Sequence, residues 1–266
     1  MTILVTGGTG TLGRDVVAQL LAAGRDVRVL SRRARRDSDP PQADWATGDL
    51  RTGAGLAAAL DGADVVVHCA SNPYRARDDL AAARQLISAA AGNRPHLIYV
   101  SIVGVDRVHY GYYNAKLQVE RLIERSGLPW TVLRATQFHD LVAYILQWAA
   151  RLPVLLYPAG VSFQPVDTRD VAARLVALAL AEPAGRADDF GGPHVEPVPD
   201  LARAWLRAAG KHRPLQPVKL PGQLFRGYAA GGHLTPQHPD GRITFEEFLR
   251  AHVTRAAHSA PYGQLR

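Results

Sequence analysis

Tyr112 and Lys116 form a pair whose types and spacing suit acid–base chemistry. They lie four residues apart in a segment whose pattern predicts a helix from Tyr112 to Glu124, so both side chains lie on one helix face. A free phenol has a pKa of about 10, and a nearby ammonium favours the phenolate and lowers that pKa. The pair can therefore move a proton near neutral pH. Tyr113 is the alternative phenol, but its direction on the helix differs by about 100°.

Ser101 is expected at the edge of a sheet where ligands bind. It follows the apolar run His96–Val100, and open parallel sheets bind ligands outside the carboxyl ends of their strands. A second polar segment follows the predicted strand Trp130–Leu133 and contains Arg134, Gln137 and His139. The aromatic residues of this region either wall an apolar substrate pocket or belong to the core. They are Phe138, Tyr144, Trp148, Tyr157 and Phe163.

Gly7, Gly10 and Gly13 lie on a predicted turn between a strand and a helix. The apolar run Ile3–Val5 precedes them, and the apolar spacing predicts a helix over Thr11–Ala23. Glycines let backbone N–H groups approach a pyrophosphate closely, and a helix N-terminus adds partial positive charge. The turn is therefore a candidate site for the phosphates of a dinucleotide. A tight turn without a ligand is the alternative.

A cluster of basic residues follows the second predicted strand, Asp26–Leu30. The segment Ser31–Arg36 reads SRRARR and contains no acidic residue. In a dinucleotide-binding fold this strand end meets the adenosine ribose, where an acidic side chain binds the 2′-hydroxyl of NAD and arginine suits the 2′-phosphate of NADP. Arginine binds phosphate through paired hydrogen bonds and keeps its charge. We therefore expect Ser31, Arg32 and Arg33 to favour NADP(H) over NAD(H), and the other arginines to lie in a solvated loop.

Strands and helices are predicted to alternate from the N-terminus onward. The run Ala63–Ala70 is apolar throughout, as expected of a strand with both sheet faces covered. Further strands are predicted near Trp45 and at 96–100 and 130–133, and helices at 77–91, 112–124, 141–148, 168–180, 199–209, 222–230 and 244–252. This alternation indicates right-handed βαβ crossovers. We predict an α/β fold of Rossmann type with a doubly wound parallel sheet.

The amino-acid composition and the predicted helix length change after residue 182. We predict a dinucleotide-binding Rossmann domain over residues 1–182 and a small C-terminal lobe over residues 183–257. The lobe is rich in proline and glycine, its helices are short, and we expect it to cover the substrate without being an independent domain. Residues 258–266 are expected to form a flexible tail.

Composition and charge exclude several classes of protein. The 266 residues are 47% apolar and 21% charged, as in ordinary globular proteins. Cys69 is the single cysteine, so we expect neither an internal disulfide nor a metal site. The net charge of +7 comes from scattered arginines, so no nucleic-acid partner is expected. No apolar run reaches the roughly 18 residues of a membrane span. Without a signal peptide, we expect a cytoplasmic monomer or homodimer with a small-molecule substrate.

Several segments together resemble one known family. They are the glycine spacing GxxGxxG within TGGTGTLG, the triplet Gly48-Asp49-Leu50, and YVSIVGVD followed by YYxxK. They resemble the short-chain dehydrogenase/reductase superfamily in its extended and atypical branches, which include NmrA-like NAD(P)-binding proteins. The resemblance covers roughly residues 1–180, and the C-terminal lobe matches only loosely.

The resemblance implies a Ser-Tyr-Lys site next to a dinucleotide. In it Tyr112 donates a proton, Lys116 activates the phenol and holds the nicotinamide ribose, and Ser101 orients the substrate oxygen. The residues placed at the cofactor are Gly7, Thr9, Gly10, Thr11, Leu12, Gly13, Ser31, Arg32, Arg33, Asp49, Leu50, Ala70, Ser71, Lys116 and Ala135. The residues placed at the substrate are Phe138 and His139, with a structural role as the alternative for His139. Asp49 contacts the adenine or, alternatively, caps a helix over 54–60.

The chain departs from the family's pattern at two places. The helix over 77–91 lacks the asparagine of the classical enzymes, and HCASN replaces their NNAG. Members with such gaps include enzymes and also cofactor-binding regulators without turnover. We therefore expect an NADPH-dependent oxidoreductase that reduces a small or medium apolar carbonyl, quinone or enone by hydride transfer. The alternative is an NmrA-like NADP(H) sensor, and the third reading is an NAD(P)-dependent epimerase or dehydratase.

Overall fold

A computed structural model describes residues 1–72 and 76–252 of the chain, so the tail predicted over 258–266 lies outside the described residues. The chain forms two compact units that alternate along the sequence. The first contains Met1–Ser101, Gly111–Arg134 and Val171–Asp188, and the second contains Ile102–Tyr110, Ala135–Asp170 and the chain from Asp189 onward. These bounds differ from the single division predicted after residue 182. That the C-terminal part covers a substrate stays a prediction.

The first unit is built on a seven-stranded parallel sheet with the strand order β3-β2-β1-β4-β5-β6-β9. The strands are β1 (Thr2–Thr6), β2 (Asp26–Ser31), β3 (Asp44–Thr47), β4 (Val65–His68), β5 (His96–Ile102), β6 (Trp130–Ala135) and β9 (Gly185–Arg186). This is the predicted Rossmann-type α/β fold. The order reverses between β1 and β4, and such sheets bind ligands outside the carboxyl ends of the strands at the reversal.

Helices flank this sheet and bury its apolar strands. They are α1 (Thr11–Ala22), α2 (Leu56–Leu60), α3 (Ala76–Ala90), α4 (Gly111–Glu124) and, at a boundary between the units, α6 (Thr168–Ala179). One apolar cluster joins α2, α3 and α4 to the strands and includes Leu4, Leu56, Leu86, Leu97 and Ile123. Because these side chains are fully or almost fully buried, they hold α4, the helix that carries Tyr112 and Lys116, against the sheet.

The second unit contains helices and two small sheets. Its helices are α5 (His139–Ala149), α7 (Val198–Ala208), α8 (Gln223–Ala229) and α9 (Phe245–His252). Strand β7 (Leu155–Pro158) pairs in parallel with β11 (Leu215–Val218), and β8 (Ser162–Phe163) pairs antiparallel with β10 (Glu196–Pro197). The core of this unit includes Leu146, Leu201, Trp205, Phe245 and Phe248.

The short strands β7 to β11 are the elements that sequence analysis missed. Each has two to four residues, and three of them contain a proline, which is unfavourable within a strand. None shows the alternation of apolar and polar residues on which strand prediction depends. The predicted strands and helices of both units are confirmed, with bounds shifted by a few residues. Within residues 1–72 and 76–252, no helix is long and apolar enough to cross a membrane.

Candidate active site

The glycine turn follows strand β1 and leads directly into helix α1. Gly7 has a φ of +70°, and a Cβ there would lie 2.7 Å from the backbone nitrogen of Ala70. A Cβ on Gly13 would lie 2.1 Å from the carbonyl oxygen of Gly7. The turn therefore packs against itself and against the chain that follows β4 too closely for any side chain at these two positions.

Helix α1 presents an N-terminus that no side chain caps. Its N-cap is Gly10, which makes no side-chain hydrogen bond, and its first turn contains no acidic residue. Thr9 and Thr11 are half-buried beside it, whereas Leu12 is buried in the core. The first backbone N–H groups of a helix have no partner within the helix, and its dipole favours an anion. The turn thus fits the phosphates of a dinucleotide.

The two arginines after strand β2 have different surroundings. Arg33 makes two hydrogen bonds to the carboxylate of Asp39, at 2.6 and 2.7 Å, and its guanidinium lies 5.0 Å from the ring centroid of Trp45. The hydrogen bonds from Arg33 hold the pKa of Asp39 well below its usual range. Arg32 is exposed and makes no side-chain hydrogen bond within the described chain. Arg33 therefore shapes the loop, and Arg32 remains open to an anionic ligand.

Asp49 organises a turn and does not cap helix α2. Its carboxylate accepts a hydrogen bond of 2.9 Å from the backbone N–H of Arg51, which is the main cause of the lowered pKa of Asp49. Helix α2 begins at Leu56, after Gly55, and no side chain caps it. The helix-cap alternative for Asp49 is therefore wrong. Contacts of Asp49 and Leu50 with an adenine stay predictions.

Helix α4 places the ammonium of Lys116 beside the phenol of Tyr112. The Lys116 Nζ lies 5.9 Å from the Tyr112 ring centroid and 4.7 Å from that of Tyr99, and it donates a hydrogen bond of 3.2 Å to the carbonyl of Val100. Lys116 is buried and Tyr112 is half-buried. Tyr113 points into the core and is buried. Of the two phenols that the sequence left open, Tyr112 is the one next to the ammonium.

The hydroxyl of Tyr112 is also part of a hydrogen-bond chain that sequence analysis missed. Its oxygen lies 2.7 Å from the Ser71 Oγ, which donates a hydrogen bond of 2.6 Å to the Asp79 carboxylate. The same carboxylate accepts a hydrogen bond of 2.7 Å from the backbone N–H of Asn72. Asp79 lies in the first turn of α3 and is buried. The sequence signal for Asp79 is an acidic residue near the start of the helix predicted over 77–91.

Ser101 lies at the end of β5 with its hydroxyl buried. The residue is 3% exposed, and its Oγ has no hydrogen-bond partner among residues 1–72 and 76–252. A buried hydroxyl without a partner costs about 1–3 kcal/mol. Its position at the carboxyl end of a strand fits a group that bonds a ligand oxygen. The predicted contact with substrate stays a prediction.

Glu120 fixes helix α4 to the sheet. Its carboxylate accepts hydrogen bonds of 2.9 and 2.7 Å from Arg134 on β6, and one of 3.3 Å from Arg186 on β9. Glu120 and Arg134 are both buried. Arg134, which the sequence placed among the polar candidates for the site, therefore has a structural partner. Glu120 was missed because its two partners lie far from it in sequence.

The predicted cofactor and substrate residues after β6 belong to the second unit. Ala135 ends β6 and forms a bridge with Phe190, and half-buried Phe138 bridges Val166. His139 is fully buried, and its Nε2–H donates a hydrogen bond of 2.9 Å to the carbonyl of Ile243. Its ring packs against two phenylalanines of α9, and burial lowers its pKa. These contacts favour the structural role for His139, and a substrate contact stays a prediction.

The buried His68 should make the free energy of unfolding depend on pH. Its Nδ1 lies 2.6 Å from the Thr6 Oγ1, and burial, with a smaller contribution from Lys116, lowers its pKa to about 3. Below a pH of about 6.5, His68 binds a proton in the unfolded chain but stays neutral in the folded chain. The free energy of unfolding therefore decreases as the pH falls. We expect a slope of about 1.4 kcal/mol per pH unit from this residue between pH 6 and 4.

The measurement is denaturant unfolding at several pH values for wild type and His68→Gln. The variant should lose about 1.4 kcal/mol per pH unit of the wild-type slope, whatever its stability at pH 7. His109→Gln changes an exposed histidine and serves as the control. Equal slopes for wild type and His68→Gln would contradict a buried neutral His68.

Known proteins resemble this chain over most of its length. A protein family described as NAD(P)H-binding matches residues 7–182. The (4-alkanoyl-5-oxo-2,5-dihydrofuran-3-yl)methyl phosphate reductase of Streptomyces griseus is 34% identical over 226 residues, which are 80% of this chain and 75% of that protein. The photosystem II assembly factor Ycf39 of Trieres chinensis is 28% identical over 266 residues, which are 94% of this chain and 82% of that protein.

Other matches differ in length or share only the fold. An uncharacterized protein of Mycobacterium tuberculosis is 32% identical over 224 residues, and the match spans only 24% of its length. The NADPH-dependent quinone oxidoreductase QOR2 of Escherichia coli, solved with NADPH, superposes with a TM-score of 0.77 at 20% identity. That match covers 94% of this chain and 99% of the other. At this identity the likeness shows the fold alone.

Proposed function

Because this chain belongs to the NAD(P)H-binding family that matches residues 7–182, we propose that it is an NADPH-dependent reductase of the atypical short-chain dehydrogenase/reductase type. Its substrate is a small or medium apolar carbonyl, quinone or enone. The observation that carries the proposal is the half-buried Tyr112 phenol beside the buried Lys116 ammonium. Both lie on helix α4, and the glycine turn lies at the sheet edge where the parallel strands β4 and β5 also end.

The residues after β1 and β2 fit a phosphorylated dinucleotide. At Gly7 and Gly13 the neighbouring backbone is too close for a side chain. The uncapped N-terminus of α1 suits a pyrophosphate. Arg32 is exposed and suits a 2′-phosphate, whereas an acidic side chain at this place would suit NAD. A bound NADPH would supply the hydride.

Two residues of helix α4 supply the proton, and Ser101 near the end of β5 positions the substrate. Tyr112 gives its phenolic proton to the substrate oxygen as negative charge develops there. The ammonium of Lys116 stabilises the phenolate that remains. The buried Ser101 hydroxyl, which lacks a partner in the described chain, donates a hydrogen bond to the same substrate oxygen.

The named relatives support a reductase and leave one further function open. The Streptomyces griseus relative is named a reductase of an oxo-dihydrofuran, which supports an unsaturated carbonyl as the substrate class here. The relative named an assembly factor, together with the absence of asparagine from α3, favours a cofactor-binding sensor as the second candidate.

The experiment is a titration of the purified protein with NADPH and NADH, followed by oxidation of NADPH in a panel of carbonyls, quinones and enones. We expect tighter binding of NADPH and oxidation that depends on at least one substrate. Tight binding of NADPH without oxidation across the panel would overturn the reductase proposal in favour of the sensor. Conversion of a nucleotide sugar without net use of cofactor would indicate an epimerase.

A further inference from the structure

The chain of hydrogen bonds from Tyr112 through Ser71 to Asp79 has a defined direction. A serine hydroxyl has one proton, and the Ser71 hydroxyl donates it to the Asp79 carboxylate at 2.6 Å. The Ser71 Oγ and the Tyr112 hydroxyl oxygen are 2.7 Å apart. Because the Ser71 proton is already used, the phenol donates the hydrogen bond between them. Ser71 therefore accepts the proton of Tyr112 while it donates its own to Asp79.

The Asp79 carboxylate is held in place by the start of α3 and by two hydrogen bonds. It lies in the first turn of α3, where the helix dipole stabilises a carboxylate. Its second oxygen accepts the backbone N–H of Asn72 at 2.7 Å. At 6% exposure the carboxylate is almost enclosed. A negative charge at the end of the hydrogen-bond chain holds Ser71 in the orientation that accepts from Tyr112.

Within the part of the chain that the structure describes, titratable side chains approach the Tyr112 phenol from three elements. Asp79 approaches through Ser71 from α3, Lys116 lies beside the ring on α4, and Tyr99 lies on β5 beneath the same ammonium. Asp79 favours the neutral phenol and Lys116 favours the phenolate. These two opposite charges therefore act on the Tyr112 proton in opposite directions.

We propose that Ser71 and Asp79 form a proton path that keeps the Tyr112 phenol protonated at rest and reloads it after each transfer to substrate. This inference rests on the proposed reductase function. In reloading, the Asp79 carboxylate first takes a proton from solvent. Its new O–H bond then breaks as an O–H bond to the Ser71 Oγ forms, and the original Ser71 O–H bond breaks as the Tyr112 O–H bond forms again. One proton thus enters for each proton delivered to substrate, and Asp79 returns to the carboxylate. Ser71 and Asp79 are positioning residues.

The test compares Asp79→Asn with Asp78→Asn. The first variant keeps the shape and an oxygen for the Asn72 N–H, but it cannot carry a carboxylate or pass on its proton. The second makes the same chemical change one residue earlier in the same helical turn. With NADPH and an active carbonyl or quinone, kcat of Asp79→Asn should fall about 10–100-fold. The Kd for NADPH should stay within about threefold of wild type, and Asp78→Asn should match wild type in both.

A second readout needs neither cofactor nor substrate. Ionisation of Tyr112 is followed by ultraviolet difference absorbance against pH, with Tyr112→Phe protein as the reference. Loss of the negative charge should move this ionisation about one unit to lower pH in Asp79→Asn. Ser71→Ala, at an exposed position, should move it in the same direction. Circular dichroism shows whether Asp79→Asn folds. If it does not fold, Ser71→Ala provides the same test.

The two readouts separate failure of the path from failure of the reductase proposal. An inactive wild type whose phenol titration still shifts in Asp79→Asn and Ser71→Ala would overturn the reductase and support the coupling of Asp79 to Tyr112. An active wild type with unchanged kcat and unchanged phenol titration in both variants would overturn the path and leave the reductase intact. An equal loss of kcat in Asp78→Asn would show a general effect of charge and would also overturn the path.

Discussion

Replacing Tyr112 by Phe should lower kcat for reduction of a carbonyl by about 100–10,000-fold, the usual contribution of a positioned proton donor. The change removes one oxygen and keeps the ring that lies beside Lys116, so the Kd for NADPH should stay within about threefold. The measurement is steady-state oxidation of NADPH over a range of substrate concentrations, which gives kcat and KM, together with a fluorescence titration of the cofactor. A loss confined to KM would show that Tyr112 binds substrate without acting in the chemical step.

Tyr113→Phe is the matched control for this result. It removes the same atom from the next residue, but Tyr113 is buried on a different face of α4. We expect kcat close to that of wild type, with any effect confined to thermal stability. Equal activities of Tyr112→Phe and wild type would contradict the assigned proton donor, and a loss only in Tyr113→Phe would transfer the role to that phenol.

Replacing Arg32 by Ala should weaken NADPH binding about 10–100-fold and leave NADH binding within about threefold. A hydrogen bond to a charged group is worth about 1.5–3 kcal/mol, and each 1.4 kcal/mol corresponds to about tenfold in Kd. Arg32 is exposed at the end of β2, whereas the neighbouring Arg33 is held by Asp39. The measurement is the Kd for each cofactor at a fixed ionic strength, because charge contributions depend on salt.

Arg35→Ala separates the position of Arg32 from the net charge of the loop. Arg35 is also exposed, and its removal changes the charge equally. We expect its Kd for NADPH to stay within about threefold of wild type. Similar losses in both variants would indicate a diffuse electrostatic effect, and an equal weakening of NADH would show that Arg32 contacts a part common to both cofactors.

The sequence predicts most of the sheet and the parts of the site that depend on short spacings. The glycine turn and the pair Tyr112 and Lys116 are local patterns, and a helix or a strand-to-helix turn converts each into geometry. Two partners of the site could not be found in this way. Asp79 meets Ser71 only because α3 folds back beside the end of β4, and Glu120 meets Arg134 only because α4 packs on β6. Contacts between distant segments leave no periodic signal in one sequence.

The arginines after β2 show a second limit of prediction from the sequence. The sequence gives Arg32 and Arg33 the same type and adjacent positions, and it offers no reason to separate their roles. The structure separates them because Asp39 and Trp45 hold Arg33 within its own loop. A charge that is satisfied inside the protein is less available to a ligand than one in solvent. Side-chain partners, which a single sequence does not specify, decide which of the two arginines is held within the loop and which is exposed to solvent.

The buried ion pair of Glu120 has a consequence for the choice between the two tyrosines. Tyr112, Lys116 and Glu120 repeat every four residues along α4, so they form one stripe on the helix. Turning the helix by one residue, about 100°, would bring Tyr113 toward the position of Tyr112 and would separate the buried Glu120 carboxylate from the Arg134 guanidinium. That loss costs about 3–5 kcal/mol. The buried ion pair, two helical turns from the phenol, thus fixes which of the two adjacent tyrosines faces Ser71, and in the proposed reaction that tyrosine donates the proton.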